Sequence, residues 1–178
     1  MVKQMTQDDF MPAYPLRWLH LQRGKRSEAL TKALIYDVAW ELSRSNVRLS
    51  TLEPSIDIDL VDLFARLETD EWTMIVEISV RSSSRQSLDL GNPDSYGSIR
   101  KWLERGAQHH NPCLLFFIDL STEKTHVLTP SQIKQFSANF EKRFISTKDL
   151  VDASEYLLPL FQNAISQQDL KDAKAIFS

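Results

Sequence analysis

Two runs decide the fold: Ser55-Ile56-Asp57-Ile58-Asp59-Leu60-Val61 and Trp72-Thr73-Met74-Ile75-Val76-Glu77-Ile78-Ser79-Val80-Arg81. Each alternates with the period of a β-strand. In the first, Ile56, Ile58, Leu60 and Phe64 fall on one face, and Asp57, Asp59, Val61 and Leu63 on the other. In the second, Trp72, Met74, Val76, Ile78 and Val80 share one face, and Thr73, Ile75, Glu77, Ser79 and Arg81 the other. The polar cluster Glu68-Thr69-Asp70 predicts a three-residue hairpin loop. Pairing about Thr69 sets Asp57 opposite Arg81, Asp59 opposite Ser79 and Val61 opposite Glu77. The acidic groups then gather at the open end of the hairpin, while Leu63, Ala65 and Ile75 keep the other end of that face apolar. An acid inside a strand must be solvated, paired or holding a metal, because burying it alone costs too much. An Asp57–Arg81 pair across the strands is the plainer account of these charges.

Upstream, Ser27 is the expected N-cap of a helix over 28–45, with Leu30, Leu34, Val38 and Leu42 as its stripe and Ala33, Ile35 and Ala39 widening it. Glu28 lies on a heptad-spaced line with Ile35 and Leu42. That places it at the helix tip near the buried face, where the helix dipole also favours an acid. Downstream come a serine-rich loop over 82–94 and a helix ending at Gly106, with Tyr96, Ile99, Trp102 and Leu103 as its stripe. The run Cys113-Leu114-Leu115-Phe116-Phe117-Ile118 reads as a central strand covered on both faces. A short strand over 125–128 follows, then a short helix after Pro130, a capped helix over 147–166 and a last helix from 168. The expected architecture is a mixed α/β sandwich with a small sheet. Residues 1–22, with Pro12 and Pro15, read as an irregular lead-in. Residues 23–178 read as one domain whose C-terminal helices, from about 129, form an extension.

A chain of 178 residues suits one core. Its net charge of −3 argues against a general nucleic-acid coat, though not against a local basic cleft. No apolar run is long enough to span a bilayer, and the first ten residues carry no signal-type segment. The single cysteine, Cys113, fits a reducing compartment, so the expectation is a cytoplasmic protein with no membrane partner. Cys113 itself reads as a core residue. The tryptophans fall mostly on apolar stripes and read as core. His109 and His110 lack partners at zinc spacing among His20, His126 and Cys113. No glycine-rich phosphate loop and no Gly-x-Ser-x-Gly is present.

A helix glutamate, a strand aspartate, a hairpin partner with an acid before the expected lysine, then helix and strand: this order resembles the PD-(D/E)XK nuclease superfamily, with its restriction-endonuclease-like fold. The resemblance covers about residues 23–128 and is closest to small members associated with mobile elements and defence loci. It implies a mixed sheet flanked by helices, with extra C-terminal helices here. It also implies Mg²⁺-dependent hydrolysis of DNA by Glu28, Asp57 or Asp59, and Glu77, with Asp57, Asp59 and Glu77 as the metal ligands. The chain departs from the pattern at Ser79, where the family places lysine. Arg81 or Lys32 would then supply the positive charge, although arginine is never deprotonated. The departure leaves a second reading open, a nuclease fold that no longer cuts and instead binds a protein, a twin subunit or nucleic acid. An unrelated α/β domain is the third.

Two basic groups, Arg23, Lys25 and Arg26 before the helix and Arg100, Lys101 and Arg105 on the later one, have the chemistry to grip a phosphate backbone. Solvated surface is the slightly plainer account of each, and Glu104 offsets the second group. Arg85, in Ser82-Ser83-Ser84-Arg85, would reach the same backbone from a loop, although a flexible connection is the plainer account of that stretch.

Overall fold

The computed structural model describes residues 13–54, 61–91, 98–99, 101–103, 112–140 and 144–178, without the side chains of 13–21 and 137–140. Helix α1, Ala13–Ser43, opens the described chain. Pro15 falls in its first turn, where the missing N–H is no loss. The helix therefore takes in residues 13–22, expected as an irregular lead-in. Ser27 is not its N-cap: it lies inside the helix, buried, and its hydroxyl donates to Arg23 O at 2.8 Å. Thr31 donates likewise to Ser27 O at 3.0 Å. Such back-bonding satisfies a hydroxyl within a helix, so serine need not end one.

Strands β1 (Arg48–Leu52), β2 (Leu63–Glu68) and β3 (Thr73–Ser83) form an antiparallel meander. Strand β5 (Cys113–Asp119) pairs parallel to β3, and β6 (Lys124–Leu128) antiparallel to β5. The sheet order is β1-β2-β3-β5-β6. Strands β4 (Ser87–Asp89) and β7 (Phe144–Ser146) make a separate two-stranded sheet. Between β5 and the C-terminus lie β6, α2 (Pro130–Phe140), β7, a 3₁₀ turn at Thr147–Asp149, α3 (Ala153–Ile165) and α4 (Leu170–Ala175). Asp152 caps α3 and Asp169 caps α4, so the second-last helix begins at Ala153, later than the expected 147. The protein is thus an α/β fold, a mixed five-stranded sheet packed against helices and completed by C-terminal helices. No described helix is long and apolar enough to cross a membrane.

The hairpin is real, but its register differs from the expected one. The first strand is Leu63–Glu68, paired so that Phe64 faces Glu77 and Leu63 faces Ile78. Thr69 causes the shift. Its Oγ1 accepts the N–H groups of Glu71 and Trp72, at 3.3 and 3.1 Å, and its own N–H donates to Trp72 O at 2.9 Å. The chain therefore reverses over Asp70-Glu71 instead of about Thr69. The offset changes by an odd number, which exchanges the faces of one strand relative to the other. Leu63, Ala65 and Leu67 join Met74, Val76 and Ile78 in the core. Phe64 and Ile75 share the opposite face with Glu77. Strand β1 was not foreseen, and the expected strand over 55–61 lies mostly outside the described residues.

Strand β5 separates two apolar clusters. Leu114, Phe116 and Ile118 pack with α1, α3 and α4. Cys113, Leu115 and Phe117 pack with Leu88, Ile99, Trp102 and Ile133. Every β5 side chain is buried, as the unbroken apolar run requires. The C-terminal helices are part of this core: Phe161 meets Phe177 edge-on at 5.4 Å between ring centres. Trp72 and Trp102 are buried as expected, whereas Trp40 is 69% exposed on the outer side of α1. The serines after Arg81 are not a loose connection, since Ser82 and Ser83 continue the β3–β5 ladder opposite Ile118 and Asp119.

Gly91 follows β4 with φ +78°, and a Cβ there would lie 2.6 Å from Ser98 Cβ. Gly91→Ala meets both a left-handed backbone and a clash. It is expected to cost at least about 2 kcal/mol, read as a lower urea midpoint at unchanged slope.

Candidate active site

Asp62 builds the open end of the hairpin. Its N–H donates to Ile78 O at 2.9 Å. Past that rung its side chain carries on from the backbone, Oδ2 accepting the Val80 N–H at 2.6 Å. The same oxygen faces Arg81 Nη1 at 3.3 Å, and Nη1 also donates to Val80 O at 2.8 Å. The arginine and aspartate side chains are 28% and 31% exposed. A pair at that depth keeps part of its attraction, because water screens it incompletely.

Glu28 approaches the same corner from α1. Ile35 and Leu42, on its heptad line, are buried, which draws Glu28 half under the surface. Burial pushes its carboxyl above the ordinary value, and the negative charge of Asp62 adds to the push. Lys32 and Lys25 oppose it, and Glu53 reinforces it. The helix continues upstream, so Glu28 is not the first-turn acid expected from a cap at Ser27. Its environment is set by packing and by Asp62.

This has a consequence for stability. A carboxyl whose folded pKa is raised is fully accommodated below its unfolded value of 4.5, and that contribution is lost as pH rises through the folded value. Glu28→Gln is therefore expected to raise the melting temperature at pH 7 and to give no gain at pH 3.5. A thermal melt series across that range reads the difference.

The remaining expected residues are placed as follows. Lys32 is ion-paired with Glu53, just past β1, and that bond holds the exposed Glu53 carboxyl below its ordinary value. Glu77 is half-buried, between Phe64 and Cys113 in the ladders. Burial chiefly, and then the charge of Glu77, pushes the Cys113 thiol up to about 12, so Cys113 is an inert core thiol as expected. Ser79, in the lysine slot, is buried, and its Oγ has no hydrogen-bond partner among the described residues. Asp57 and Asp59, with Arg100, Arg105, His109 and His110, lie outside the described residues. Among the described residues no three His, Cys, Asp or Glu side chains stand close enough to hold a metal together. Glu77 thus does not form a three-carboxylate cluster with Glu28 and Asp62.

Of the basic residues, Arg26 is ion-paired with Glu123. Lys25, Arg85 and Lys101 are exposed, and Arg23 is half-buried, its carbonyl engaged by Ser27. His126 is buried against Phe117, with ring centres 6.3 Å apart, and its Nδ1 lies 3.3 Å from Val151 O.

Asp62 was missed by sequence reasoning. The signal was the alternation Leu63, Ala65, Leu67 against Phe64, Arg66, Glu68, which starts a strand just after Asp62 and so puts this acid at a strand mouth. No protein-family model matches the chain, and no curated protein does.

Proposed function

We propose that the protein is a metal-dependent nuclease of the restriction-endonuclease-like class, cutting DNA with Glu28, Asp62 and Arg81. The observation that carries this reading is that the charge of Asp62, ion-paired to Arg81 at the mouth of β2, reaches Glu28 of α1 and raises its carboxyl. These groups lie at the end of the sheet where the antiparallel meander gives way to the parallel β3–β5 pair. The element order, helix, three-strand meander, parallel strand, also supports the family resemblance. In this reading Asp62 takes the strand-aspartate role expected of Asp57 or Asp59.

Two neighbouring carboxylates, one already raised by burial and by the other's charge, suit Mg²⁺. That ion takes hard oxygen ligands and needs only one or two protein carboxylates. Glu28 and Asp62 would hold it. Such an ion, when bound, lowers the pKa of a water and offsets phosphoryl charge. Burial and the charge of Asp62 both disfavour the ionised form of Glu28, and a bound cation would offset that cost. Arg81 offers permanent positive charge to the phosphodiester oxygens and cannot serve as a base.

A second reading, a binding or assembly module that does not cut, is supported by Ser79 in the lysine slot and by the ion pairs that engage Arg81 and Lys32. Its partner would be DNA, a protein or a second copy of the chain. Incubation of the purified protein with supercoiled, linear and single-stranded DNA, and with RNA, separates the two. The nuclease reading expects cleavage with Mg²⁺ or Mn²⁺ that EDTA and Asp62→Asn abolish. If every substrate stays intact and wild type equals Asp62→Asn, the nuclease reading fails.

A further inference from the structure

A cavity of about 270 Å³ opens beyond the end of β3, on the side of the small β4–β7 sheet. Its floor is apolar, made by Leu88 and Phe117, both buried. Arg81 and Arg85 line it, together with the hydroxyl-bearing Ser82, Ser83 and Ser87. On the β7 side stands Phe144, 46% exposed, an unusual exposure for a large aromatic ring. Asp89 pairs with Phe144 across the β4–β7 ladder and accepts the Gly91 N–H at 2.8 Å. The lining therefore has a cationic, hydroxyl-rich part on the β3 side and an aromatic part with an acceptor beside it.

The loop that carries Arg85 is held firmly. The Arg85 N–H donates to Ser83 Oγ at 3.0 Å. Gln86 is held at φ +50°, and its carbonyl accepts the Thr147 N–H at 3.0 Å. A non-glycine residue in the left-handed region persists only where its surroundings fix it, and such residues cluster at ligand-holding turns. The Arg81 charge is partly answered by Asp62, whereas the Arg85 guanidinium makes no ion pair with a described residue.

We infer that this cavity binds one nucleotide unit, its phosphate on Arg85 and the serine hydroxyls and its base against Phe144. Guanidinium is the side chain best matched to phosphate oxygens, and an exposed ring stacks on any base. The volume lies just under the span of about 300–1,000 Å³ common for drug-sized ligands, so it suits a single nucleotide rather than two. The Asp89 carboxylate suits a sugar hydroxyl or a base amino group and disfavours phosphate beside Phe144. In naming a nucleotide, the inference rests on the reading of the protein as one that acts on nucleic acid. The unit would come either from a free nucleoside monophosphate or from the phosphorylated end of a strand.

The test measures binding in EDTA, where cutting is absent, so its outcome is independent of nuclease activity. Full-length protein is titrated with dTMP, with a 5′-phosphorylated oligo-dT six nucleotides long, with the same oligomer bearing a 5′-hydroxyl, and with inorganic phosphate. The inference expects the phosphorylated oligomer, dTMP, or both to bind at least tenfold more tightly than the hydroxyl oligomer and than phosphate. Binding of dTMP as tight as that of the oligomer assigns the site to free nucleotide; preference for the oligomer assigns it to a strand end. Arg85→Ala and Phe144→Ala, both at exposed positions and outside the proposed cutting site, should each weaken that binding at least fivefold without changing the melting temperature. Equal affinity for the phosphorylated and hydroxyl oligomers together with no dTMP binding, or no effect of both substitutions, overturns the inference.

Discussion

Under the proposed nuclease function, Asp62→Asn is expected to lower Mg²⁺-dependent DNA cleavage by at least about a hundredfold while the protein stays folded. A metal-bound phosphoryl site supplies several kcal/mol of transition-state stabilisation, and removing one of its two carboxylates forfeits a good part of that. Asparagine keeps the shape of aspartate and one oxygen acceptor, so the Val80 N–H that now bonds Oδ2 at 2.6 Å retains a partner. What disappears is the charge, and with it the ion pair to Arg81. The structural cost should be about 1 kcal/mol, the difference between a charge-assisted and a neutral hydrogen bond. Cleavage rates and a thermal melt on the same preparation separate the two effects. A variant that cuts at the wild-type rate would remove Asp62 from the site and return the strand-aspartate role to Asp57 or Asp59.

The largest expected loss of stability is at Phe116. Its ring is fully buried and packs toward α1 and α3, on a strand whose two neighbours place Val80 and Val127 beside it. Phe116→Ala leaves a hole that rigid flanking strands cannot close, at a cost of about 3–5 kcal/mol. For a chain of this length that lowers the melting temperature by about 6–20 °C. It also consumes a large part of the roughly 5–15 kcal/mol that natural domains possess. Ile75→Ala, at a side chain 45% exposed on the face of β3 opposite Met74 and Val76, should change stability by no more than about 0.5 kcal/mol. Urea denaturation of both variants checks the contrast.

The element order was largely legible because the unbroken apolar run of β5, the short apolar stretch of β6 and the apolar stripe of α1 carry strong signals that packing then obeys. The register was not. It depends on one hydroxyl: Thr69 Oγ1 collects two N–H groups and moves the reversal to Asp70-Glu71. No pattern of apolar residues records that choice. Ser27 misled for the opposite reason, since a residue type that favours helix starts also bonds comfortably to the preceding turn. Strand β1 was missed because only Leu49 of its five residues is buried, with Thr51 half-buried on the same side, so its alternation is faint. The heptad line with Ile35 and Leu42 does set Glu28 half under the surface, as its spacing predicts. Asp62 carries a weaker signal in the sequence than Asp57 and Asp59, which alternate within an apolar run whereas Asp62 only precedes one.

Strand β5 serves two layers at once, handing Leu114, Phe116 and Ile118 to one and Cys113, Leu115 and Phe117 to the other. A single inserted or deleted residue within it would deliver each set to the wrong address, inverting both interiors in one step. Evolution can therefore exchange the letters of this strand far more freely than it can change their number. Variation in length near β5 is expected to fall in the turn at 120–123 that follows it, and variation in identity within the strand to trade one apolar residue for another of similar volume.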